Sequence, residues 1–208
     1  MLEWQTSGQD KDLWIPLWNG ALLHSQKNPQ REANLWLEQQ KNLLEGVHTA
    51  FVLGLAGGFH IQALQEYNPQ LKIVVIESHE AFVTLASPLV RSLQSRALVF
   101  TQIDPHMLLK NKNIEEDLKR TFCVLEYRQA TKLDPDYYRH VKAALCGRDW
   151  KSFNHHVKLR GQGWMNQYNF IEKSDSLISI KPIADEIQNQ KIVTPEMMQW
   201  LCIRELVK

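Results

Sequence analysis

A short apolar run that ends in a glycine-rich turn constrains this chain most. Residues 51–59 read FVLGLAGGF, so a strand-like segment over 47–53 leads through three glycines into an amphipathic segment. Glycine allows positive φ and close approach of the backbone to another group, and the first turn of a following helix presents N–H groups to polar or anionic ligands. A strand, a tight turn and a helix in this order predict the first unit of an open α/β sheet.

The same alternation continues along the chain. Apolar runs separated by roughly 20–25 residues alternate with amphipathic segments, which is typical of βαβ units and a parallel sheet. The predicted strands are 47–53, 71–76, 96–100 and 122–125. The predicted helices are 59–67, 79–86 with an uneven continuation to 94, 106–119 and 134–145. We therefore predict an α/β domain with a Rossmann-like, methyltransferase-like, mainly parallel sheet and helices on both of its faces.

Two further elements precede this alternation. Residues 13–18 and 21–24 flank Asn19-Gly20, a pair that favours a type I′ hairpin turn. Pro16 predicts an edge position for the first strand of this N-terminal hairpin, because proline has no N–H to donate. An Asn-Pro pair then opens a helix predicted over 29–44.

The pattern weakens after Gly147. We predict a hairpin plus Rossmann-like domain over 1–147, and an irregular or helical C-terminal appendage over 148–208 that packs on it. Within the appendage, 152–163 has little periodicity and includes the run HHVKLRGQG. A solvated surface loop is the favoured interpretation of this run, and a phosphate- or glycan-binding loop is the alternative. A last helix is predicted from Thr194, at a Thr-Pro pair.

Composition disfavours several classes of function. The 208 residues carry 24 Lys and Arg against 23 Asp and Glu, and this formal charge of +1 predicts no strong attraction to nucleic acid or to an anionic membrane. The longest apolar run, 50–59, is about half of the roughly 20 residues that a membrane-spanning helix needs. The N-terminus lacks a signal-peptide pattern and the three cysteines form no CxxC pair, which predicts a cytoplasmic protein. No metal-binding motif is predicted.

The spacing of the glycines separates two nucleotide-binding patterns. A dinucleotide fingerprint that begins at Gly54 needs glycine at positions 56 and 59, where this chain has Ala56 and Phe59. Gly54, Ala56 and Gly58 match instead the G-x-G-x-G turn of S-adenosylmethionine-binding domains, with alanine in the middle. Methyltransferases usually carry an acidic residue just before this turn, and here Leu53 takes that place.

Acidic residues at strand ends extend the candidate site. Glu77 ends the second predicted strand, 19 residues after Gly58, where a carboxylate can accept hydrogen bonds from both hydroxyls of a ribose. Asp104 follows the third strand and can receive an adenine amino group. The alternatives are helix capping for the two acids and a tight turn without a ligand for the glycines. The candidate ligand-binding residues are Gly54, Ala56, Gly57, Gly58, His60, Glu77 and Asp104.

His60 and the residues at the end of the fourth strand are further candidates for chemistry. His60 is predicted in the first turn of the helix after the glycines, where it either contacts a bound phosphate or carboxylate or is an exposed histidine without a ligand. Glu126, Tyr127 and Arg128 end the fourth strand, where an acid, a hydroxyl and a cation meet at the ligand-binding edge. An ion pair of Glu126 with Arg128 or across the strands is favoured over a role as general base. No residue is assigned a catalytic role.

Short motifs across 12–145 resemble a known family. They are Asn-Pro with Glu-Ala over 28–33, Gly-Leu-x-x-Gly-Phe-His over 54–60, Ile-x-Val-x-Glu over 73–77 and Leu-x-Pro-x-Tyr-Tyr over 133–138. Together they resemble the Rossmann-like N-terminal region of bacterial motility-associated-factor glycosyltransferases. They are also similar to the related domain family that includes an archaeal 6-hydroxymethylpterin diphosphokinase. The resemblance implies involvement in attaching nonulosonic, sialic-acid-like sugars to flagellin.

The resemblance further implies a nucleotide-binding-like shell without its own reaction centre. In the motility-associated proteins the glycosyl-transfer site lies in a separate, following domain, and 208 residues are too few to contain that domain as well. The shell that carries over consists of Gly54, Gly58, His60 and Glu77.

Three functions remain open at this stage. The first is a Rossmann-like ligand-binding or accessory domain of a bacterial surface-glycan or motility pathway, with a protein partner such as a glycosyltransferase. For Trp14, Pro16, Trp18 and Trp36, packing of the hairpin on the helix from residue 29 is favoured, and an exposed aromatic surface for that partner is the alternative. The second is a small-molecule methyltransferase that uses S-adenosylmethionine. The third is a pterin pyrophosphokinase, which the absence of a P-loop pattern disfavours. The expected ligand is accordingly S-adenosylmethionine or another nucleoside-containing small molecule.

Overall fold

A computed structural model describes residues 1–8 and 10–160, and these residues form two sheets. The antiparallel sheet has the strand order β1-β2-β3 and consists of β1 (Leu2–Thr6), β2 (Trp14–Trp18) and β3 (Ala21–Leu22). The parallel sheet has the order β6-β5-β4-β7 and consists of β4 (Thr49–Leu53), β5 (Lys72–Glu77), β6 (Leu98–Thr101) and β7 (Phe122–Glu126). This order corresponds to 3-2-1-4 of a doubly wound fold, so the predicted Rossmann-like class is confirmed.

Helices connect and cover the strands. They are α1 (Pro29–Leu44), α2 (Phe59–Tyr67), α3 (Ala81–Thr84), α4 (Pro88–Gln94), α5 (Pro105–Leu109), α6 (Lys112–Leu118), α7 (Arg128–Thr131), α8 (Pro135–Leu145) and α9 (Trp150–Arg160). Four of them begin with proline after a side chain that accepts hydrogen bonds from the first turn: Asn28, Ser87, Asp104 and Asp134. Proline fits the first helical position because the N–H that it lacks has no partner within the helix.

Successive residues of the central strand face two different apolar layers. Ala50 and Val52 of β4 pack in one layer with side chains of α1 and α2. Phe51 and Leu53 pack in the other layer with side chains of α5, α6 and α8. Because both faces are covered, β4 is a continuous apolar run, as expected for a buried parallel strand. The prediction of helices on both faces is confirmed.

The predicted N-terminal hairpin is present as β2 and β3. Asn19 and Gly20 connect them with φ of 49° and 79°, the two positive values that a type I′ turn requires. The edge position predicted from Pro16 is wrong, because β1 pairs along the whole of β2 and makes it the central strand. Proline is tolerated there because β3 pairs only with Leu17 and Trp18 and ends before reaching Pro16.

Two predicted helices are interrupted, and one predicted loop is helical. The segment 79–94 forms α3 and α4, and 106–119 forms α5 and α6, with Asn111 accepting a hydrogen bond at the start of α6. The surface loop predicted from His155 is wrong as far as Arg160, since α9 extends to that residue and packs against α5, α6 and α8.

The predicted division into 1–147 and 148–208 stays a prediction. The expected helix from Thr194 lies outside the described residues, as does the end of the HHVKLRGQG run. Among residues 1–8 and 10–160, no helix combines the length and the apolar character needed to cross a membrane.

Candidate functional site

The strand order places a topological switch point between β4 and β7. From β4 the chain proceeds to β5 and β6 on one side and then returns to β7 on the other side. In open α/β sheets, ligands bind outside the carboxyl ends of the two strands at such a switch point. Here that position lies between the turn after β4, residues 54–58, and Tyr127, which follows β7. We term this position the switch-point crevice.

The glycine turn is buried along its whole length. Gly54, Ala56 and Gly58 have positive φ values of 95°, 42° and 82°. A Cβ atom at Gly54 would lie 2.4 Å from Cβ of Ala130, and one at Gly58 would lie 2.5 Å from Cδ1 of Leu93. Both glycines are therefore required by backbone conformation and by packing within the domain.

Glu77 joins the glycine turn to β5 and α8. Its side chain is fully buried, and Oε2 accepts a hydrogen bond from the Leu55 N–H at 2.7 Å. Oε1 accepts from the His79 N–H at 2.9 Å and from the Tyr138 hydroxyl at 3.0 Å, with the Ser78 hydroxyl at 3.4 Å. We term these five residues the Glu77 clamp. Glu77 has the predicted place at a strand end, and both of its oxygens face donors of the protein itself.

Within the Glu77 clamp, Tyr138 makes the connection to α8. Its hydroxyl donates to Glu77 and accepts from the Ser78 N–H at 3.0 Å, so it bridges the end of β5 to α8. Burial raises the pKa of Tyr138, and the nearby charge of Glu77 raises it further. Tyr138 therefore remains a protonated donor at neutral pH.

The switch-point crevice holds the imidazole ring of His24. Its Nε2 accepts a hydrogen bond from the Gly57 N–H at 3.1 Å, and its Nδ1 lies 2.7 Å from the Tyr127 hydroxyl oxygen. Because Nε2 accepts, the neutral ring carries its proton on Nδ1 and donates it to Tyr127, as assigned from the hydrogen-bond partners. The Tyr127 hydroxyl in turn donates to the Leu23 carbonyl at 3.1 Å. We term His24, Gly57 and Tyr127 the His24 latch.

Two aromatic rings enclose the His24 ring. Tyr127 stacks on it with ring centroids 4.8 Å apart and an interplanar angle of 24°. Phe59, at the start of α2, meets it edge-on with centroids 5.0 Å apart. The imidazole is thus held by a hydrogen bond at each nitrogen, a stacked ring and an edge-on ring.

Two sequence features make room for the latch. A Cβ atom at Gly57 would lie 2.9 Å from Cδ2 of His24 and 3.0 Å from Cδ of Pro16, so the His24 ring requires glycine there. The Leu23 N–H donates to the Pro16 carbonyl at 3.1 Å, but proline has no N–H to return that bond. The Leu23 carbonyl accepts the Tyr127 hydroxyl instead.

His60 lies beside the latch and is fully buried. Its Nε2 is 3.0 Å from the Gly54 carbonyl, to which it donates, so the neutral ring has no proton on Nδ1. Nδ1 has no hydrogen-bond partner among the described residues. The ring stacks on Tyr127 with centroids 4.1 Å apart and an interplanar angle of 8°. The alternative of an exposed histidine is therefore wrong.

Burial sets the protonation states of both histidines. It lowers the pKa of His60 to about 3, and the adjacent His24 contributes to the same direction. Burial also lowers the pKa of His24, against the opposing effect of Glu32, whose Oε2 lies 3.6 Å from Nδ1. Both rings are neutral at pH 7. Burial raises the pKa of Tyr127, with a further contribution from Glu32.

The structure places Asp104 apart from these groups. It follows β6, which β5 separates from β4. Its Oδ1 accepts from the N–H groups of His106 and Met107, both at 2.9 Å, and so caps α5. Among the described hydrogen bonds of Asp104, none reaches residues 54–58. The capping role is thus observed, and contact with an adenine stays a prediction.

Glu126 and the hairpin aromatics also take structural roles. Glu126 pairs with Lys142 of α8, so the predicted pair with Arg128 is wrong. Trp36 donates its indole N–H to the Glu126 carbonyl at 2.9 Å, and Trp18 stacks on Phe82 with centroids 5.5 Å apart. Trp18 and Trp36 are half-buried and pack against the core, which agrees with the favoured interpretation. Trp14 is exposed, with 40% of its surface accessible. Docking of a protein partner on the hairpin stays a prediction.

The two adjacent histidines on α9 diverge, as expected for neighbours on a regular element. His155 Nε2 lies 3.6 Å from a Glu115 oxygen, whereas His156 Nε2 lies 3.1 Å from the Ala144 carbonyl. In the part of the chain that the structure describes, no cluster of three or more histidine, cysteine or acidic side chains can hold a metal ion.

A surface groove lies at the opposite edge of the parallel sheet. The described residues that line it are Lys119, Arg120, Thr121, Phe122 and Leu159. Lys119 contacts Glu116 at 2.8 Å, and Arg120 donates to His48 at 2.6 Å. The groove therefore lies at the amino end of β7, whereas the ligand edge of such a fold is the carboxyl end.

Searches with this chain against protein-family models, curated proteins and solved structures find no match. The resemblance to motility-associated-factor glycosyltransferases stays a prediction. Two residues of the crevice, His24 and Tyr127, are not among the predicted ligand-binding residues, although Tyr127 is predicted at the ligand-binding edge after the fourth strand. The signal that points to them is Gly57, a third glycine that the G-x-G-x-G spacing does not need.

Proposed function

We propose that this chain provides a Rossmann-like nucleotide-type ligand-binding or accessory domain of a bacterial surface-glycan or motility pathway, without a glycosyl-transfer site of its own. One observation carries the proposal. Two groups at the switch-point crevice can bind a ligand, the Gly57 N–H and the Tyr127 hydroxyl. In this structure the side chain of His24 is hydrogen-bonded to both of them. The motifs over 54–60 and 73–77 support the pathway through the family resemblance.

The titratable groups around the crevice favour binding over catalysis. A general acid or base must reach a substrate proton and exchange it near the working pH. Glu77 is buried among backbone and hydroxyl donors, and burial lowers the pKa of His60 to about 3. Burial raises the pKa of Tyr127 well above neutral. The Tyr127 hydroxyl and the His60 ring therefore suit fixed hydrogen bonding to a ligand.

Thermal unfolding of the purified protein tests the proposal. The ligands are cytidine and uridine nucleotides, ATP, NAD and S-adenosylhomocysteine, and a ligand at 100 times its Kd is expected to raise Tm by about 5–10 °C. A shift with a cytidine nucleotide supports the glycan pathway. Tyr127→Phe should reduce this shift, and the control Tyr137→Phe, whose hydroxyl bonds Ile103, should retain it.

Two results contradict the proposal. One is turnover of a nucleotide-sugar donor by the purified chain alone, because an accessory domain has no transfer site. The other is the absence of any shift across the whole set of ligands, because a ligand-binding domain requires one.

A small-molecule methyltransferase is the second candidate. The positive φ values at Gly54, Ala56 and Gly58 favour it, as does the position of Glu77 at the end of the neighbouring strand. S-adenosylhomocysteine should then be the ligand with the largest shift, and Glu77→Gln should remove that shift. A shift that is the same in wild type and Glu77→Gln contradicts this candidate.

A further inference from the structure

We propose that the switch-point crevice is a heterocycle site in which His24 is the built-in occupant. A heteroaromatic base of a nucleoside-type ligand replaces the His24 ring when the segment that carries it lifts. This inference rests on the proposed ligand-binding function and names the chemical group that the crevice accepts.

The contacts of the His24 ring are those that a small aromatic heterocycle needs. One ring nitrogen accepts from the Gly57 N–H at 3.1 Å, and the other lies 2.7 Å from the Tyr127 hydroxyl. Tyr127 also provides the stacked face and Phe59 the edge. Nucleobases present the same features, a planar ring with an acceptor nitrogen close to a donor group, as in the N7 and N6 amino groups of adenine.

A second polar group lies beside the ring. His60 Nδ1 is buried and has no partner among the described residues, and both histidine rings stack on Tyr127. The centroids of His24 and His60 are 6.0 Å apart. Because an unpaired buried acceptor is unfavourable, a base that is larger than imidazole and carries a further donor gains a hydrogen bond there.

The segment that carries His24 is held by hydrogen bonds outside the ladder of the parallel sheet. His24 lies in the irregular residues 23–28 between β3 and α1. The described backbone ties of residues 23–26 to the rest of the domain are Leu23 to Pro16 and to Tyr127, Ser25 to Glu32, and Gln26 to Ser7 and Gly8. None of these bonds belongs to the ladder of β4, β5, β6 and β7.

Chemical rescue tests the heterocycle site. His24→Ala removes the ring, and free imidazole at pH 8 should raise the Tm of this variant by about 3–5 °C in a saturable manner. Pyrrole has the same ring size but no acceptor nitrogen for Gly57, and it should give no saturable shift. Imidazole should shift neither wild type nor His140→Ala, whose histidine is exposed on α8.

A second readout uses the affinity for nucleotides. Because the built-in ring competes with the ligand, cytidine monophosphate or S-adenosylhomocysteine should bind His24→Ala at least about tenfold more tightly than wild type. If His24→Ala does not fold, the wild-type protein serves instead. Saturation with either ligand should move the ring signals of His24 to those of an exposed histidine that titrates near its ordinary pKa of about 6.5.

The outcomes separate this inference from the proposed function. Imidazole rescue without any nucleotide-induced shift supports the heterocycle site and contradicts the nucleotide-binding function. Nucleotide binding that is equal in wild type and His24→Ala, with no imidazole rescue, supports that function and overturns the heterocycle site. Ring signals of His24 that do not move when wild type is saturated with a nucleotide also overturn it.

Discussion

Two buried polar clusters lie at the carboxyl edge of the parallel sheet, and they differ in whether every buried polar group next to them has a hydrogen-bond partner among the described residues. In the Glu77 clamp, both carboxylate oxygens accept from donors on the glycine turn, β5 and α8. In the His24 latch, each ring nitrogen has one close partner, and Nδ1 of the adjacent His60 has no hydrogen-bond partner among the described residues. Fully matched buried networks rigidify a fold, whereas an unmatched buried group in a native structure calls for an explanation. We infer that the clamp maintains the fold and the latch closes a site.

The largest expected effect follows from Glu77→Ala. The substitution leaves the N–H groups of Leu55 and His79 buried without an acceptor, so we expect the free energy of unfolding to fall by about 3 kcal/mol or more. Urea titration measures this change. The control Glu126→Ala breaks a partly exposed pair with Lys142 and should lower the free energy of unfolding by less than about 1 kcal/mol. Equal effects of the two variants contradict the role of the clamp.

The two buried histidines, His24 and His60, are expected to make the free energy of unfolding depend on pH. Burial lowers the pKa of His24 and lowers that of His60 from 6.5 to about 3, so the folded protein binds fewer protons than the unfolded chain below pH 6.5. The free energy of unfolding is therefore highest above that pH, as far as these two rings determine it, and it falls progressively as the pH falls toward 3. For His60 alone, we expect a loss of about 2 kcal/mol between pH 7 and pH 5.

Urea titrations at pH 8, 7, 6 and 5 measure this dependence. The variant His60→Gln removes one titrating ring, so its free energy of unfolding should change less over the same range. A wild-type dependence no steeper than that of His60→Gln shows that His60 is not buried in its neutral form.

A smaller effect is expected where the glycine turn meets the latch. In wild type, the Cβ atom of Gly57→Ala would approach Cδ2 of His24 to 2.9 Å, and we expect a loss of about 1–2 kcal/mol. In the His24→Ala background the same substitution should be milder, with a coupling energy of about 1 kcal/mol in a double-mutant cycle. Additive effects contradict the placement of the His24 ring against Gly57.

The smallest effect is expected for the hydroxyl that completes the clamp. Tyr138→Phe removes a donor to Glu77 and an acceptor for the Ser78 N–H, and we expect a loss of about 1 kcal/mol. Tyr137→Phe, next to it on α8, removes a half-buried bond to the Ile103 carbonyl and should lower stability by about 0.5 kcal/mol. The reverse order shows that Tyr138 does not contribute to the clamp.

Much of the fold was predictable because local patterns determine it. The four parallel strands and α1, α2 and α8 follow from apolar spacing and from cap-plus-proline signals, and the structure has them within a few residues of the predicted bounds. The strand β1 was missed because Leu2–Thr6 is short and its alternation weak. The neighbour of β4 opposite β5 was not predictable either, since residues far apart in sequence decide which strand pairs there.

The site was predictable only in part. Glu77 was expected at a strand end near the glycines, and it lies there, but its burial depends on Tyr138, which comes 61 residues later. His24 was not expected, because its place depends on the path of the hairpin over the sheet edge. Gly57 is the sequence signal for this arrangement. The His24 ring leaves no room for a Cβ atom there, and the G-x-G-x-G pattern alone does not require glycine at this position.

The protonation of the His24 ring tests the closed crevice most directly. Two-dimensional ¹H–¹⁵N NMR at pH 7 distinguishes a protonated from an unprotonated ring nitrogen. We predict a neutral ring with its proton on Nδ1, an unprotonated Nε2, and a Gly57 amide proton that shows hydrogen bonding to that nitrogen. A ring with its proton on Nε2 contradicts the account, because that nitrogen cannot then accept the Gly57 N–H. A ring that titrates near pH 6.5 also contradicts it, because burial lowers the pKa of His24.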